Sequence, residues 1–239
     1  VYAALGELIT ERSGVLNLGV EGMMLVGAVA GFAATVATGN PWAGVLAGMA
    51  AGAAMALVFA VLALQLMANQ VAAGLALTLF GLGLSAFAGK PLESIALGAQ
   101  EPWHVPLLAD IPVLGPVLFR HHLLVYGSWL LLALTSWFLY RSRAGLVLRA
   151  VGESPESAHA IGYPVIAIRF LATLFGGAMA GLGGAYLSEF YTPMWAEGLV
   201  AGRGWIALAL VVFATWRPGR VLVGAYLFGG VTIAQFFAQ

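Results

Sequence analysis

Cysteine is absent from this sequence of 239 residues, and charged residues are scarce. The absence of cysteine excludes a disulfide framework and every zinc site built from thiolates. Only 8% of the residues carry a charge, against about 25% in a typical soluble domain. The 10 basic and 10 acidic residues cancel to a formal net charge of zero, so the charge balance gives no reason to expect a nucleic-acid partner.

Motifs of nucleotide hydrolysis and of hydrolytic catalysis are also missing. A phosphate-binding loop needs Gly-x-x-x-x-Gly-Lys-Ser/Thr. Gly89 and Lys90 come closest, but Pro91 follows them and Gly83 lies one residue too far upstream. There is no Gly-x-Ser-x-Gly nucleophile elbow, and the 4 histidines show no i, i+4 spacing. We therefore expect no catalytic residue, no metal site and no cofactor bound by this chain.

The sequence is instead rich in hydrophobic residues, which make up 62% of it and give a mean hydropathy of +0.96. The stretch from Gly22 to Gly89 contains no charged residue. Its 68 residues (89 − 22 + 1) far exceed one membrane span, which takes about 20 apolar residues. The composition predicts an all-α, polytopic helical membrane protein, with a single transmembrane domain over 1–239.

Polar and glycine-containing breaks divide the chain into about six to seven transmembrane segments. We predict spans at 19–38, 42–66, 71–89, 123–140, 166–187, 205–216 and 221–237. The segment 205–216 would cover about 18 Å as a helix, short of the roughly 30 Å of hydrocarbon. We therefore expect broken or re-entrant helices at Gly14–Gly22 and Gly198–Gly204, in corresponding positions of two inverted repeats.

Two sets of glycines recur at every fourth residue. Gly44, Gly48 and Gly52 form one set, and Gly27 and Gly31 form the other. Small residues at this spacing let two helices approach closely in lipid. We expect them to pack helices within one subunit rather than to form a seam between two subunits.

Basic residues assign the two sides of the membrane. The island from Arg141 to Arg169 contains 4 arginines and no lysine, and short basic loops lie in the cytoplasm. We therefore place the loop 141–165 in the cytoplasm and the proline-rich loop 90–122 outside. The same alternation puts the polar segment Glu7–Glu21 on the cytoplasmic side, or recessed into the membrane.

The segment Glu7–Gly27 sets ionisable side chains directly against membrane-spanning sequence, where such groups usually face a bundle interior or a water-filled path. Its run Glu-Arg-Ser-Gly-Val-Leu-Asn-Leu-Gly-Val-Glu-Gly-Met-Met resembles the signature of permease subunits of ABC importers for nucleosides and simple sugars. These permeases are related to the branched-chain amino-acid and ribose permeases. Members usually carry further hydrophobic segments, so the chain is expected to be incomplete at both ends.

Two later segments carry the same resemblance. In the first, Ser154 as N-cap, Pro155 and a following acid predict a short helix that ends at Gly162. This helix resembles the family's coupling helix, which docks on the ATPase subunit. The resemblance implies that the contact is formed by Gly152, Glu153, Ser154, Pro155, Ala158 and Gly162. The second segment, Gly-Arg-Gly-Trp-Ile-Ala-Leu-Ala from Gly202 with Trp-Arg-Pro after it, also resembles the family pattern.

The resemblance implies an integral permease subunit that moves a nucleoside or simple sugar across the cytoplasmic (inner) membrane of a bacterium. It implies cytoplasmic ABC ATPase subunits that use ATP, a second permease subunit, an extracytoplasmic substrate-binding protein and the lipid bilayer as partners. The predicted translocation pathway is lined by Glu7, Asn17, Glu21, Gly202, Arg203 and Trp205. Glu21 has a structural alternative, as a helix cap or as an ion-pair partner of Arg12. We favour solvated loop positions for Glu189 and Glu197 over positions at the external mouth.

Two alternatives to this function stay open. The first is a ribose or branched-chain amino-acid permease of the same ABC class. The second is a proton-coupled secondary transporter or channel, in which Glu7, Glu11 and Glu21 relay protons or select cations.

Overall fold

The computed structural model describes residues 1–98, 103–104 and 120–238. In these ranges the chain is almost entirely helical. Its α-helices are α1 (Tyr2–Arg12), α2 (Val20–Thr38), α3 (Pro41–Ala60), α4 (Gln70–Gly89), α5 (Leu123–Arg141), α6 (Arg143–Glu153), α7 (Pro155–Ala160), α8 (Val165–Tyr186), α9 (Arg203–Phe213) and α10 (Pro218–Ala238).

Two of the long helices end in wider turns. A π-helical turn, Val61–Gln65, continues α3, and a second, Leu187–Tyr191, continues α8. Such turns insert one extra residue into the helical ladder and redirect the side chains that follow. The second turn directs the side chain of Glu189 into the bundle.

The predicted external loop 90–122 lies largely outside the described residues. Its described parts begin with a 3₁₀ turn, Lys90–Leu92, directly after α4. Strands β1 (Trp103–His104) and β2 (Arg120–His121) pair antiparallel, with Trp103 opposite His121.

Five helical segments among the described residues are long and apolar enough to cross a membrane. They are Val20–Thr38, Pro41–Gln65, Gln70–Leu92, Leu123–Arg141 and Val165–Tyr191. The all-α, polytopic membrane fold predicted from composition is thereby confirmed. The remaining predicted spans fall on α9, a short apolar helix of 11 residues, and on α10.

Close backbone approach joins α2, α3 and α8 at the centre of the bundle. A Cβ atom added to Gly48 of α3 would lie 2.7 Å from Ala185 Cβ on α8 and 3.0 Å from the Gly27 carbonyl oxygen on α2. One added to Gly52 would lie 2.7 Å from Gly181 Cα. Glycine is therefore required at these crossings, and the prediction that the two glycine sets pack helices within one subunit is confirmed.

The peripheral helices leave apolar side chains on the outside. On α4, Leu79 is 72% exposed and Phe87 is 83% exposed. Exposed apolar side chains on a membrane-spanning helix face lipid or another subunit, because lipid tails are as apolar as leucine. The outer face of α4 is therefore available to lipid or to a second subunit.

Candidate functional site

The break between α1 and α2 is built from local signals in the sequence. Gly14 has a φ of +85°, a left-handed conformation that favours glycine, and it follows the last residues of α1. The Ser13 hydroxyl donates to the Thr10 carbonyl oxygen at 2.6 Å. The Asn17 side-chain oxygen accepts from the Gly19 backbone N–H at 2.9 Å and leads into α2. The break predicted at Gly14–Gly22 is present, but it covers residues 13–19, and Gly22 lies in the first turn of α2.

Glu7 and Asn17 meet inside the bundle beside this break. The Glu7 side chain is 1% exposed, and its Oε1 accepts from the Asn17 backbone N–H at 3.3 Å. The other carboxylate oxygen, Oε2, is buried and has no hydrogen-bond partner among the described residues. Glu7 therefore holds the break against α1.

Glu21, in the first turn of α2, caps the N-terminus of α9. Its Oε1 accepts from the Gly202 N–H at 2.8 Å, and its Oε2 accepts from the Gly204 N–H at 2.6 Å. These amides belong to the first turn of a helix, where backbone donors have no partner within the helix. The capping alternative for Glu21 is thus the one observed, and the helix that it caps is α9.

The Gly-Arg-Gly motif that starts at Gly202 needs both of its glycines at the start of α9. Gly202 has a φ of +81°, again in the left-handed region. A Cβ atom added to Gly204 would lie 2.5 Å from Glu21 Cα, so any larger residue would push α9 away from α2. The two broken elements of the chain, one near each end, are therefore in direct contact.

The remaining predicted pathway residues face other directions. The Arg203 guanidinium donates to the Leu199 carbonyl oxygen at 2.8 Å and lies over the Tyr191 ring, 5.6 Å from its centroid. Trp205 is 40% exposed on the surface of the bundle. Glu7, Asn17 and Glu21 are buried and engaged in hydrogen bonds within the chain. That the six predicted residues line a translocation pathway stays a prediction.

The cytoplasmic loop 141–165, which is predicted to contact the ATPase and is called the coupling segment below, contains the short helix that its sequence predicts. Helix α7 starts after Ser154, whose Oγ accepts from the Ser157 backbone N–H at 3.4 Å, and Gly162 follows it with a φ of +94°. Ile161 is 73% exposed, so an apolar side chain stands at the end of this helix. Ala158, which the resemblance placed in the ATPase contact, is 2% exposed and instead packs against the rest of the chain.

Helix α6, which precedes the coupling helix, packs directly on the break between α1 and α2. Gly152 abuts the backbone of Arg12 and Gly14, and a Cβ atom on Gly152 would lie 3.2 Å from the Gly14 nitrogen. Arg169 of α8 adds a second contact, because its Nε donates to the Ser13 carbonyl oxygen at 3.0 Å. The coupling segment is therefore in backbone contact with the Glu-Arg-Ser-Gly motif.

The corner between α9 and α10 closes this junction. The Trp216 indole N–H donates to Glu11 Oε2, and an Arg12 guanidinium nitrogen donates to the Trp216 carbonyl oxygen at 3.2 Å. Thr215 and Trp216 both have positive φ values, +51° and +53°. All three sequence motifs thus converge on the residues from Glu11 to Glu21. The roles of Arg169 and Trp216 were not predicted, although each is a polar or aromatic residue beside an apolar span.

The solvated position predicted for Glu189 is wrong. The π-helical turn after α8 carries Glu189 into the bundle, where it is 0% exposed and accepts from the Thr35 hydroxyl at 2.9 Å. Its Oε1 has no hydrogen-bond partner among the described residues. The carboxylate occupies space left by glycines, since a Cβ atom on Gly31 would lie 2.5 Å from Oε1. Glu197, by contrast, is exposed as predicted.

Comparison with known proteins identifies the family. The chain matches, over residues 1–239, the family model described as branched-chain amino acid transport system / permease component. The chain belongs to this family. The resemblance stated from the three motifs is confirmed, and the protein is a multi-pass permease subunit of the ABC transporter class in the inner cell membrane.

Three relatives place this permease among those named for nucleosides and sugars. It is 48% identical to the putative glucose ABC transporter permease protein TsgC13 of Haloferax volcanii, over 100% of this chain and 74% of the relative. It is 36% identical to the guanosine ABC transporter permease protein NupQ of Bacillus subtilis, over 96% of this chain and 76% of the relative. It is 31% identical to the nucleoside ABC transporter permease protein NupC of Lactococcus lactis, with the same shares of 96% and 76%. No solved structure matches the chain.

Proposed function

We propose that this permease translocates a nucleoside or simple sugar inward, driven by ATP that partner ATPase subunits hydrolyse. The names of its relatives support the solute class, and membership of a family of transport-system permease components supports ATP hydrolysis by partner subunits. A second permease subunit and an extracytoplasmic binding protein complete the importer. We expect the chain to bind no cofactor or metal and to perform no covalent chemistry on the solute.

The observation that carries this proposal is the contact between the coupling segment and the break in the first motif. The exposed end of α7, with Ile161, is the surface that docks on the ATPase. Movement of α7 displaces α6, and Gly152 transmits the displacement to Gly14 because their backbones are in contact. A contact between backbones transmits displacement efficiently, since no flexible side chain lies between them.

From the break, the displacement reaches α9 through Glu21. The carboxylate of Glu21 holds the amides of Gly202 and Gly204, so a shift of the α2 N-terminus moves the start of α9 or breaks the cap. Two discrete arrangements of α9 would then correspond to outward-open and inward-open states. The pathway lies beside this junction, with Asn17 and Glu21 on one side and Gly202, Arg203 and Trp205 on the other, and with Glu7 beneath the break.

Reconstituted transport tests the function. The permease is placed in proteoliposomes with its ATPase, second permease subunit and binding protein, and uptake of labelled guanosine, D-ribose and D-glucose is measured with and without ATP. We expect ATP-dependent uptake, and we expect Ile161→Asn to abolish it by removing the apolar docking residue. Met67→Asn is the matched control, because Met67 is 82% exposed in another loop at the predicted cytoplasmic end. Uptake that follows an imposed proton gradient without ATP would contradict the proposal.

A further inference from the structure

The chain between the π-helical turn and α9, residues 192–202, is irregular backbone that runs beside a membrane-spanning helix, and we call it the re-entrant segment. Near its start, Trp195 is 3% exposed and belongs to the same buried apolar cluster as Phe32 of α2. At its end, the Gly202 N–H donates to the carboxylate of Glu21, in the first turn of α2. The segment therefore follows α2 from its outer half to its beginning.

Helix α2 gives the depth of this segment in the membrane. Its 19 residues cover about 28 Å, close to the roughly 30 Å of hydrocarbon. Phe32 lies 6 residues (38 − 32), or about 9 Å, from Thr38 at the end that we assign to the outside. Glu21 lies 17 residues (38 − 21), or about 25 Å, from the same end. The re-entrant segment therefore descends through membrane depth without forming a helix.

One side of the re-entrant segment is exposed and polar. Ala196, Glu197, Gly198 and Ala201 are exposed, whereas Val200 is 0% exposed and belongs to the main core. The Glu197 carboxylate and the backbone N–H groups of Glu197 and Gly198 have no hydrogen-bond partner among the described residues. Gly198 and Ala201 have φ values of +72° and +47°, so the backbone turns twice along this side.

These unpaired polar groups favour water over lipid as the neighbour of the segment. Irregular backbone at membrane depth occurs where it is buried in protein or lines a water-filled cavity, and a carboxylate there follows the same rule. The described part of the chain does not bury this side. The outer face of α4 shows the contrast, because its exposed side chains include the apolar Leu79 and Phe87.

We propose that the exposed side of the re-entrant segment is the wall of a water-filled vestibule that solute enters from outside, and that Glu197 binds the solute there. The solute class, a hydroxyl-rich sugar or nucleoside, rests on the proposed function. The Glu197 carboxylate accepts hydrogen bonds from solute hydroxyl groups, and the free N–H groups of Glu197 and Gly198 donate to solute oxygens. The vestibule ends where Glu21 caps α9, so a shift of α9 changes its floor.

The absence of cysteine from the chain allows a direct test of water access. Single cysteines are introduced into the assembled importer in proteoliposomes whose external face is outward, a charged, membrane-impermeant thiol reagent is added outside, and the label on this chain is measured by intact mass. Glu197→Cys and Ala201→Cys report on the vestibule, and Ala201 already carries a Cβ atom at its positive φ. The controls are Glu93→Cys at an exposed external glutamate, Val200→Cys at the buried neighbour and Leu79→Cys at a 72% exposed apolar position of α4.

We expect Glu197→Cys and Ala201→Cys to react within about tenfold of the rate of Glu93→Cys. Val200→Cys and Leu79→Cys should react at least about a hundredfold more slowly, because the reagent attacks a thiolate and a thiol ionises in water. An assembled importer in which Ala201→Cys stays unlabelled would overturn the proposal. If that variant is labelled in the isolated permease alone, a second subunit covers the segment, and the vestibule is equally refuted.

Protection by solute tests the role of Glu197. Guanosine, D-ribose and D-glucose are added without the binding protein, and the concentration that halves the labelling rate of Ala201→Cys is measured for each. We expect at least one of them to protect. Adding Glu197→Gln to the same chain should raise its half-protecting concentration at least about tenfold, as for loss of a hydrogen bond to a charged group. Glu93→Gln is the matched control and should leave that concentration unchanged.

The outcomes separate this proposal from the proposed function. Protection by the two monosaccharides identifies a free sugar as the solute, and protection by guanosine identifies a nucleoside. No protection by any probe, or equal half-protecting concentrations with Glu197→Gln and Glu93→Gln, would overturn the role of Glu197. Labelling and protection in an importer that takes up none of the probes with ATP would instead contradict the proposed transport function.

Discussion

Replacing Gly152 by alanine should impair the transmission of movement from α6 to the break between α1 and α2 without preventing the protein from folding. Gly152 is the second-to-last residue of α6, and alanine is favoured over glycine inside a helix by about 1 kcal/mol. The added methyl group, however, would overlap the Arg12 carbonyl group and approach the Gly14 nitrogen to 3.2 Å. Such overpacking costs about 1–3 kcal/mol. The net loss of folding free energy is therefore about 0–2 kcal/mol, small enough for the variant to insert and assemble.

The effect on function should be much larger than the effect on stability. We expect Gly152→Ala to separate α6 from the break, so that ATP hydrolysis continues while solute uptake per ATP falls at least about tenfold, for a coupling loss of about 1.4 kcal/mol. The assay measures phosphate release and labelled solute uptake in the same proteoliposomes. Gly83→Ala is the matched control, because among the described residues a Cβ atom at that position of α4 would meet nothing within 4 Å beyond the adjacent backbone of its own helix. An unchanged ratio of uptake to hydrolysis in Gly152→Ala would refute the reasoning.

Two further predictions concern the buried glutamates. Glu21→Ala leaves the Gly202 and Gly204 amides without their acceptor. We therefore expect the detergent-solubilised variant to unfold at a lower temperature, with a loss of about 1–3 kcal/mol of folding free energy. Unchanged thermal stability in Glu21→Ala would refute the cap. Glu189→Gln keeps an oxygen that accepts from the Thr35 hydroxyl and removes a buried charge without a cationic partner among the described residues, so we expect equal or higher stability in the same thermal melt. Thr35→Val should instead lower the folding free energy by about 1–3 kcal/mol. A large loss of stability in Glu189→Gln would show that the charge itself is required.

Signals that act over a few residues made parts of this structure predictable. The coupling helix begins after Ser154 and is followed by a left-handed Gly162, because an N-cap and a C-terminal glycine satisfy backbone groups within one or two turns. The break at Gly14 follows from the same kind of local signal. The long helices follow from apolar runs of sufficient length, so the polytopic fold could be read from composition and spacing.

Features that depend on distant partners could not be predicted. The capping of α9 joins Glu21 to Gly202 and Gly204, which lie more than half the chain away, and a single sequence does not show which carboxylate meets which helix. The burial of Glu189 depends on a π-helical turn and on the space beside Gly31, neither of which has a sequence signal of its own. Sequence patterns identified the motifs of this site, whereas only the tertiary structure showed that the motifs touch one another.

The glycine contacts at the centre of the bundle determine which parts of the permease are able to move. Where α2, α3 and α8 meet at Gly27, Gly48 and Gly181, the surfaces are backbone, and backbone has no rotamers with which to adopt a second packing. We therefore expect the crossing of these three helices to stay as one unit, while the first turn of α2, which carries Glu21 and lies outside the crossing, is able to shift. We expect a change of access during transport to involve the elements around this crossing, chiefly α1 with its break, the first turn of α2 and the short α9. The glycines would then serve transport by holding α2, α3 and α8 together at their crossing while the surrounding elements change position.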